Sequence, residues 1–284
     1  MFGSGHPTRR PAAELFAFVL AFSVIVLACA SCAEDNDSAF PGMVDIGGHS
    51  LFISCVGERE PTVILESGIE NGGSSAGWDP VRDFVKAFAR VCFYDRAGLG
   101  RSASGPEPRD SRRIATELHT LLHTAGLQPP YILVGHSMGG LHIRVFADEY
   151  PAEVAGMVFI DPTPKELMTE PLTQEQVDNL VAAEAPEGVL AEAGPGITDS
   201  IPQWQALGPL PDVPVVVLTS SPPDGTTQGD IDLDRWQTLS DLHQALADEV
   251  SDGIHIVATQ SGHYIHIDEP DLVVDAIRRV LSRR

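Results

Sequence analysis

Residues 131–144, YILVGHSMGGLHIR, place Gly135, Ser137 and Gly139 in G-x-S-x-G spacing between an apolar, strand-like run and a helical stretch. A serine in that context sits on a sharp strand-to-helix turn that lifts its hydroxyl to the top of the sheet. Gly135 and Gly139 remove side chains that would collide with the flanking strand and helix, and Gly140 lets the helix pack closer still. The chemistry open to such a serine is nucleophilic attack. Its hydroxyl is a weak nucleophile until a base takes the proton, and that base needs a carboxylate to hold its tautomer.

In a strand-turn-helix context of this kind the partners follow in the order serine, acid, histidine. Of the ten histidines, His119, His123 and His243 fall within helical patterns, and His136 and His142 flank the turn itself. His263, in SGHYIHIDEP, follows the last strand-like run and the flexible Gly262 and precedes the closing helix. It is the expected base, with His266 as its competitor three residues on.

The elements that must position these residues alternate from about residue 41. SLFISCVG, TVILES, VCFYD, YILVG, AGMVFID, VPVVVLTS and GIHIVATQ read as strands. WDPVRDFVKAFA, the segment after Ser137, RWQTLSDLHQALADE and PDLVVDAIRRVLSR read as helices, and another begins on Asp110 or Ser111 and stops near Gly126. Apolar strands separated by helices imply an α/β domain with a mostly parallel sheet covered on both faces. Residues 163–212, rich in Glu, Ala and Pro, interrupt the rhythm. They enter after FIDP, at the carboxyl ends of the strands where ligands bind, and are expected to form a cap. ENGGSSAG lacks the lysine of a phosphate loop, and no cluster of Cys and His suggests a metal.

PTVILESG, CFYDRAGLGRS, YILVGHSMGGL, GMVFIDP and SGHYIHIDEP, in that order, resemble the α/β-hydrolase superfamily over roughly residues 43–284. The phrases YDRAG and SGHYI are similar to those of an exported bacterial subgroup. The resemblance implies a mostly parallel eight-stranded sheet with helices on both faces, a small helical cap and a serine nucleophile without a cofactor. Carboxylic esters are the default substrates. Amides, peptides or thioesters would use the same constellation, and a ligand-binding sensor could share the fold. For the acid, the resemblance offers Asp161 after GMVFI and, alternatively, Asp224 in the loop after VPVVVLTS. The oxyanion donors it implies are the N–H groups of Met138 and Ile69. Ser67 and Gly68 stand where the family usually has His-Gly. Arg96 in YDRAG is expected to brace the neighbouring loops.

The chain of 284 residues carries a formal charge of −22, which argues against a nucleic-acid partner, since binding phosphates needs clustered Lys and Arg. Residues 1–32 have the charged, apolar and small-residue order of an export signal, followed by a linker at 33–40 and the hydrolase-like domain at 41–284. The apolar run at 15–30 is shorter than the ~20 residues that span a bilayer. Simple secretion, membrane attachment through a lipidated Cys29 or Cys32, and a retained membrane helix all stay open. Export also bears on Cys55 and Cys92, which lie in strand-like runs that the fold would set side by side. In an oxidising compartment they are expected to form a disulfide.

Overall fold

The computed structural model describes residues 40–69, 77–173, 175–176, 187–222 and 233–283. The export signal, Cys29, Cys32, nearly all of the linker and Asp224 lie outside the described residues. No helix among the described residues is long and apolar enough to cross a membrane.

Eight strands form one sheet: β1 (Phe40–Asp45), β2 (Ser50–Val56), β3 (Val63–Glu66), β4 (Val91–Asp95), β5 (Tyr131–His136), β6 (Val154–Ile160), β7 (Val215–Thr219) and β8 (Gly253–Val257). Their spatial order is β1-β2-β4-β3-β5-β6-β7-β8. The β1–β2 and β2–β4 pairs are antiparallel, and every later pair is parallel. β1 is not among the strands that the sequence pattern predicts, and it begins on Phe40, the last residue assigned to the linker. The antiparallel register puts Cys55 opposite Cys92, and a disulfide joins them.

The central strands are apolar throughout because both of their faces are buried. β5 sends Tyr131 and Leu133 into one apolar cluster and Ile132 and Val134 into the other. The first cluster includes Leu118, Leu121 and Leu122 of α2 (Ser111–Thr124) and Ile143 and Phe146 of α3 (Gly139–Glu149). The second includes Val81 and Val85 of α1 (Asp79–Val85) and Val273, Ile277 and Val280 of the closing helix Pro270–Ser282. Burying each such side chain is worth about 1.5–3 kcal/mol.

Helix boundaries follow local chemistry. The Asp110 side chain accepts a hydrogen bond from the Arg113 N–H at 3.0 Å and so caps α2. The chain then leaves α2 through Gly126 at φ +75°, the left-handed conformation in which glycine carries no Cβ penalty. α1 is shorter than its sequence pattern and stops at Val85. The segment after it turns toward β2, where a β-carbon on Gly57 would lie 2.9 Å from the Lys86 carbonyl and 2.5 Å from that of Ala89.

The described parts of the 163–212 insertion contain helices joined by irregular stretches. A 3-10 turn spans Lys165–Leu167, and the helix Glu187–Ala191 passes through a π-turn containing Pro195 into the helix Ile197–Gln205. Trp204 anchors this segment to the domain. Its indole N–H donates to Ser111 Oγ at 2.8 Å, and Ser111 Oγ lies 2.9 Å from His142 Nδ1.

Candidate active site

β5 and β6 run side by side in parallel, with His136 in register with Ile160. The residues that follow, Ser137 and Asp161, therefore emerge together at the carboxyl edge of the sheet. Both have positive φ, 54° and 41°, in the region that non-glycine residues seldom occupy. Neighbouring backbone holds the Ser137 turn in that shape. Its N–H donates to the Ile160 carbonyl at 3.0 Å, and its carbonyl accepts from the N–H groups of Gly140 and Thr163. Ser137 is only half-buried.

Glycine is required around it by contact. A β-carbon on Gly135 would lie 2.8 Å from the Gly139 carbonyl, one on Gly139 2.7 Å from the carbonyls of Glu66 and Ser67, and one on Gly140 2.8 Å from Pro162 Cβ. The same crowding brings the loop after β3 onto the serine, because a β-carbon on Gly68 would sit 3.0 Å from Ser137 Cβ. Ile69 and Met138 line one small cavity together with His142, Ile197 and Trp204. Among the described residues, neither the Met138 nor the Ile69 N–H donates to a backbone carbonyl.

His263 comes from the loop after β8. Its Nδ1 lies 2.7 Å from Asp161 Oδ2, while Asp161 Oδ1 accepts the Ser220 N–H at 2.8 Å. His136, next to the serine, donates from Nε2 to the His263 carbonyl at 2.9 Å, and the two rings are 4.6 Å apart. Burial, with smaller contributions from His266 and His263, holds the His136 imidazole well below the ordinary range, so it is neutral at pH 7. His266, which competes with His263 by position in the chain alone, is fully buried and stacked on Trp78 with centroids 4.5 Å apart. Neither of its ring nitrogens has a hydrogen-bond partner among the described residues.

Two supports rest on residues without a usable mark in the sequence, His243 and Glu192. Behind the Asp161 turn, His243 Nε2–H donates to the Pro162 carbonyl at 2.7 Å. Its Nδ1 must then accept from the Thr219 hydroxyl at 2.7 Å, whose oxygen accepts from His255 Nε2 at 2.7 Å. Burial lowers the pKa of His243, consistent with a neutral ring in this chain of bonds. The second support is the buried guanidinium of Arg96. It donates to the carbonyls of Ser67 and Gly68 at 2.8 and 3.2 Å, to Glu66 Oε1 at 2.6 Å, and to both carboxylate oxygens of Glu192 at 2.9 and 2.8 Å. Burial opposes its charge, and Glu192 and Glu66 outweigh that cost, so it stays protonated above its ordinary range. Arg96 thus braces the loop as expected, but its partner from the insertion, Glu192, carries no motif.

The fold and this carboxyl-edge arrangement define an α/β hydrolase. The family model for the alpha/beta hydrolase fold matches residues 61–208, and the chain belongs to that family. It is 28% identical over 222 residues to the protein YqjL of Bacillus subtilis (strain 168), covering 78% of this chain and 83% of that one. It is 29% identical over 150 residues to the human (lyso)-N-acylphosphatidylethanolamine lipase, covering 49% of this chain and 43% of the lipase. Among solved structures, a thermophilic esterase from Thermogutta terrifontis superposes with a TM-score of 0.62 at 19% identity, covering 85% of this chain and 98% of the esterase.

Proposed function

We propose that this chain is an exported serine hydrolase that cleaves carboxylic esters through an acyl-enzyme. The observation that carries the reading is the 2.7 Å contact of His263 Nδ1 with Asp161 Oδ2, made beside a serine in left-handed backbone. With Nδ1–H given to Asp161, the neutral ring presents Nε2 as a base. Ser137 Oγ loses its proton to His263 Nε2 and bonds to the ester carbonyl carbon. The ester C–O bond breaks, and the alcohol leaves with the proton from His263. Water gives a proton to the same imidazole and bonds to the acyl carbon. The acyl–Oγ bond then breaks, the acid leaves, and Ser137 Oγ takes the proton back from His263. The N–H groups of Met138 and Ile69 hold the oxyanion, each worth about 3–4 kcal/mol in the rate.

The esterase and lipase relatives support hydrolysis of an ester, and the Cys55–Cys92 disulfide supports folding in an oxidising compartment. The test is incubation of the purified protein with a fluorophosphonate probe and short p-nitrophenyl esters, beside Ser137→Ala. Labelling and turnover that both vanish in the variant are expected. Labelling without turnover of any ester or amide points to a sensor, and absence of labelling overturns the serine reading.

A further inference from the structure

α2 carries His119 and His123 one helical turn apart, so both imidazoles project from one face. Glu153, which closes the 3-10 turn Pro151–Glu153 before β6, reaches between them. Its Oε1 lies 3.2 Å from His119 Nε2 and 3.1 Å from His123 Nε2. All three ligand atoms lie within 4.8 Å of one another. A tetrahedral ion with bonds of about 2.0–2.1 Å to imidazole nitrogen and carboxylate oxygen holds its donors about 3.3–3.4 Å apart. Two of the three edges are therefore already near that spacing. The His119 ring also stacks on Tyr150, with centroids 4.0 Å and planes 12° apart, so packing fixes its direction independently of the carboxylate. The three side chains are 27%, 43% and 20% exposed, which gives an ion an entry path and leaves room for water to complete its shell.

We propose that His119, His123 and Glu153 form a binding site for a zinc-class divalent cation. Two imidazoles and one carboxylate select borderline transition ions over Mg2+ and Ca2+, which take oxygen ligands. Glu153 immediately precedes β6 and Asp161 immediately follows it, so at ~3.3 Å per residue the site lies roughly 25 Å from Asp161. No step of the proposed ester hydrolysis passes through it. The bound ion clips the last two turns of α2 to the turn that feeds β6. Because the ligands converge only in the folded chain, it raises stability with ion concentration.

The test is calorimetric titration of the full chain, stripped with a chelator, with ZnCl2, and with MgCl2 and CaCl2 in parallel. Co2+ is added separately, since its visible bands report tetrahedral imidazole coordination. One Zn2+ per chain, tetrahedral Co2+ bands and a melting temperature raised by zinc but not by magnesium are expected. His123→Gln and Glu153→Gln each remove a ligand, so each should weaken binding by more than the roughly 10–100-fold that loss of an outer-shell partner costs. Fluorophosphonate labelling of the metal-free variants should be unchanged. Zinc affinity that survives both substitutions overturns the site, as does zinc binding abolished only by His263→Ala.

Discussion

Glu192 and Arg96, 96 residues apart in sequence, meet through two hydrogen bonds of 2.9 and 2.8 Å inside the protein. The same guanidinium holds the carbonyls of Ser67 and Gly68, so the insertion and the loop packed on Ser137 share one anchor. Glu192→Gln keeps the shape but removes the charge that orients Arg96. If the loop supplies an oxyanion donor, the expected result is a fall in kcat of about tenfold or more with KM little changed, since misplacing a donor costs transition-state binding selectively. Steady-state kinetics on a p-nitrophenyl ester decides it, and a change confined to KM would instead place Glu192 in substrate binding.

Asp161→Asn tests the acid. The amide cannot hold His263 in the tautomer that leaves Nε2 basic, and kcat should drop on the order of 10^3–10^4-fold. Asp224→Asn should leave kcat within about twofold if Asp161 is the orienting group. The reverse ranking of the two variants would transfer the role to Asp224.

His266 gives a pH signature. Burial, then the charge of His263, lowers its pKa from 6.5 to about 4. The unfolded chain therefore takes up this proton first, so the contribution to stability is complete above pH 6.5 and is lost as pH falls toward 4. The size is about 3 kcal/mol. His266→Phe keeps a ring against Trp78 and should make the fall in urea-unfolding stability across that interval less steep, while the part that comes from other buried histidines such as His136 and His243 stays. A slope identical to the parent's would show that the ring does not titrate as buried.

The Cys55–Cys92 bond closes a loop with a sequence separation of 37. Constraining the unfolded chain over that length is worth roughly 4 kcal/mol. Reduction, or Cys55→Ala with Cys92→Ala, should lower the urea midpoint by a corresponding amount. Fluorophosphonate labelling of the still-folded protein should persist, because the bridge links β2 to β4, on the other side of β3 from β5.

Features that depend on neighbours in the chain are legible in the sequence. The G-x-S-x-G turn, the strand-helix alternation, the Asp110 start and Gly126 stop of α2, and the position of His263 after the last strand all follow from local sterics, capping and hydrophobic period. The helical turn Ile265–Asp268 leaves no such trace, since four residues show no period. The Arg96 brace is readable as a role, but its carboxylate in the insertion is not. His119 and His123 stand visibly one turn apart, yet Glu153 joins them only because α2 and the turn before β6 pack together. The sequence offers two carboxylates for His263, and its contact with Asp161 follows from β6, β7 and β8 lying side by side, which brings the loop after β8 to the carboxyl end of β6. Strand order and the convergence of distant polar groups are set by how whole elements bury their apolar faces, which no short stretch of sequence encodes.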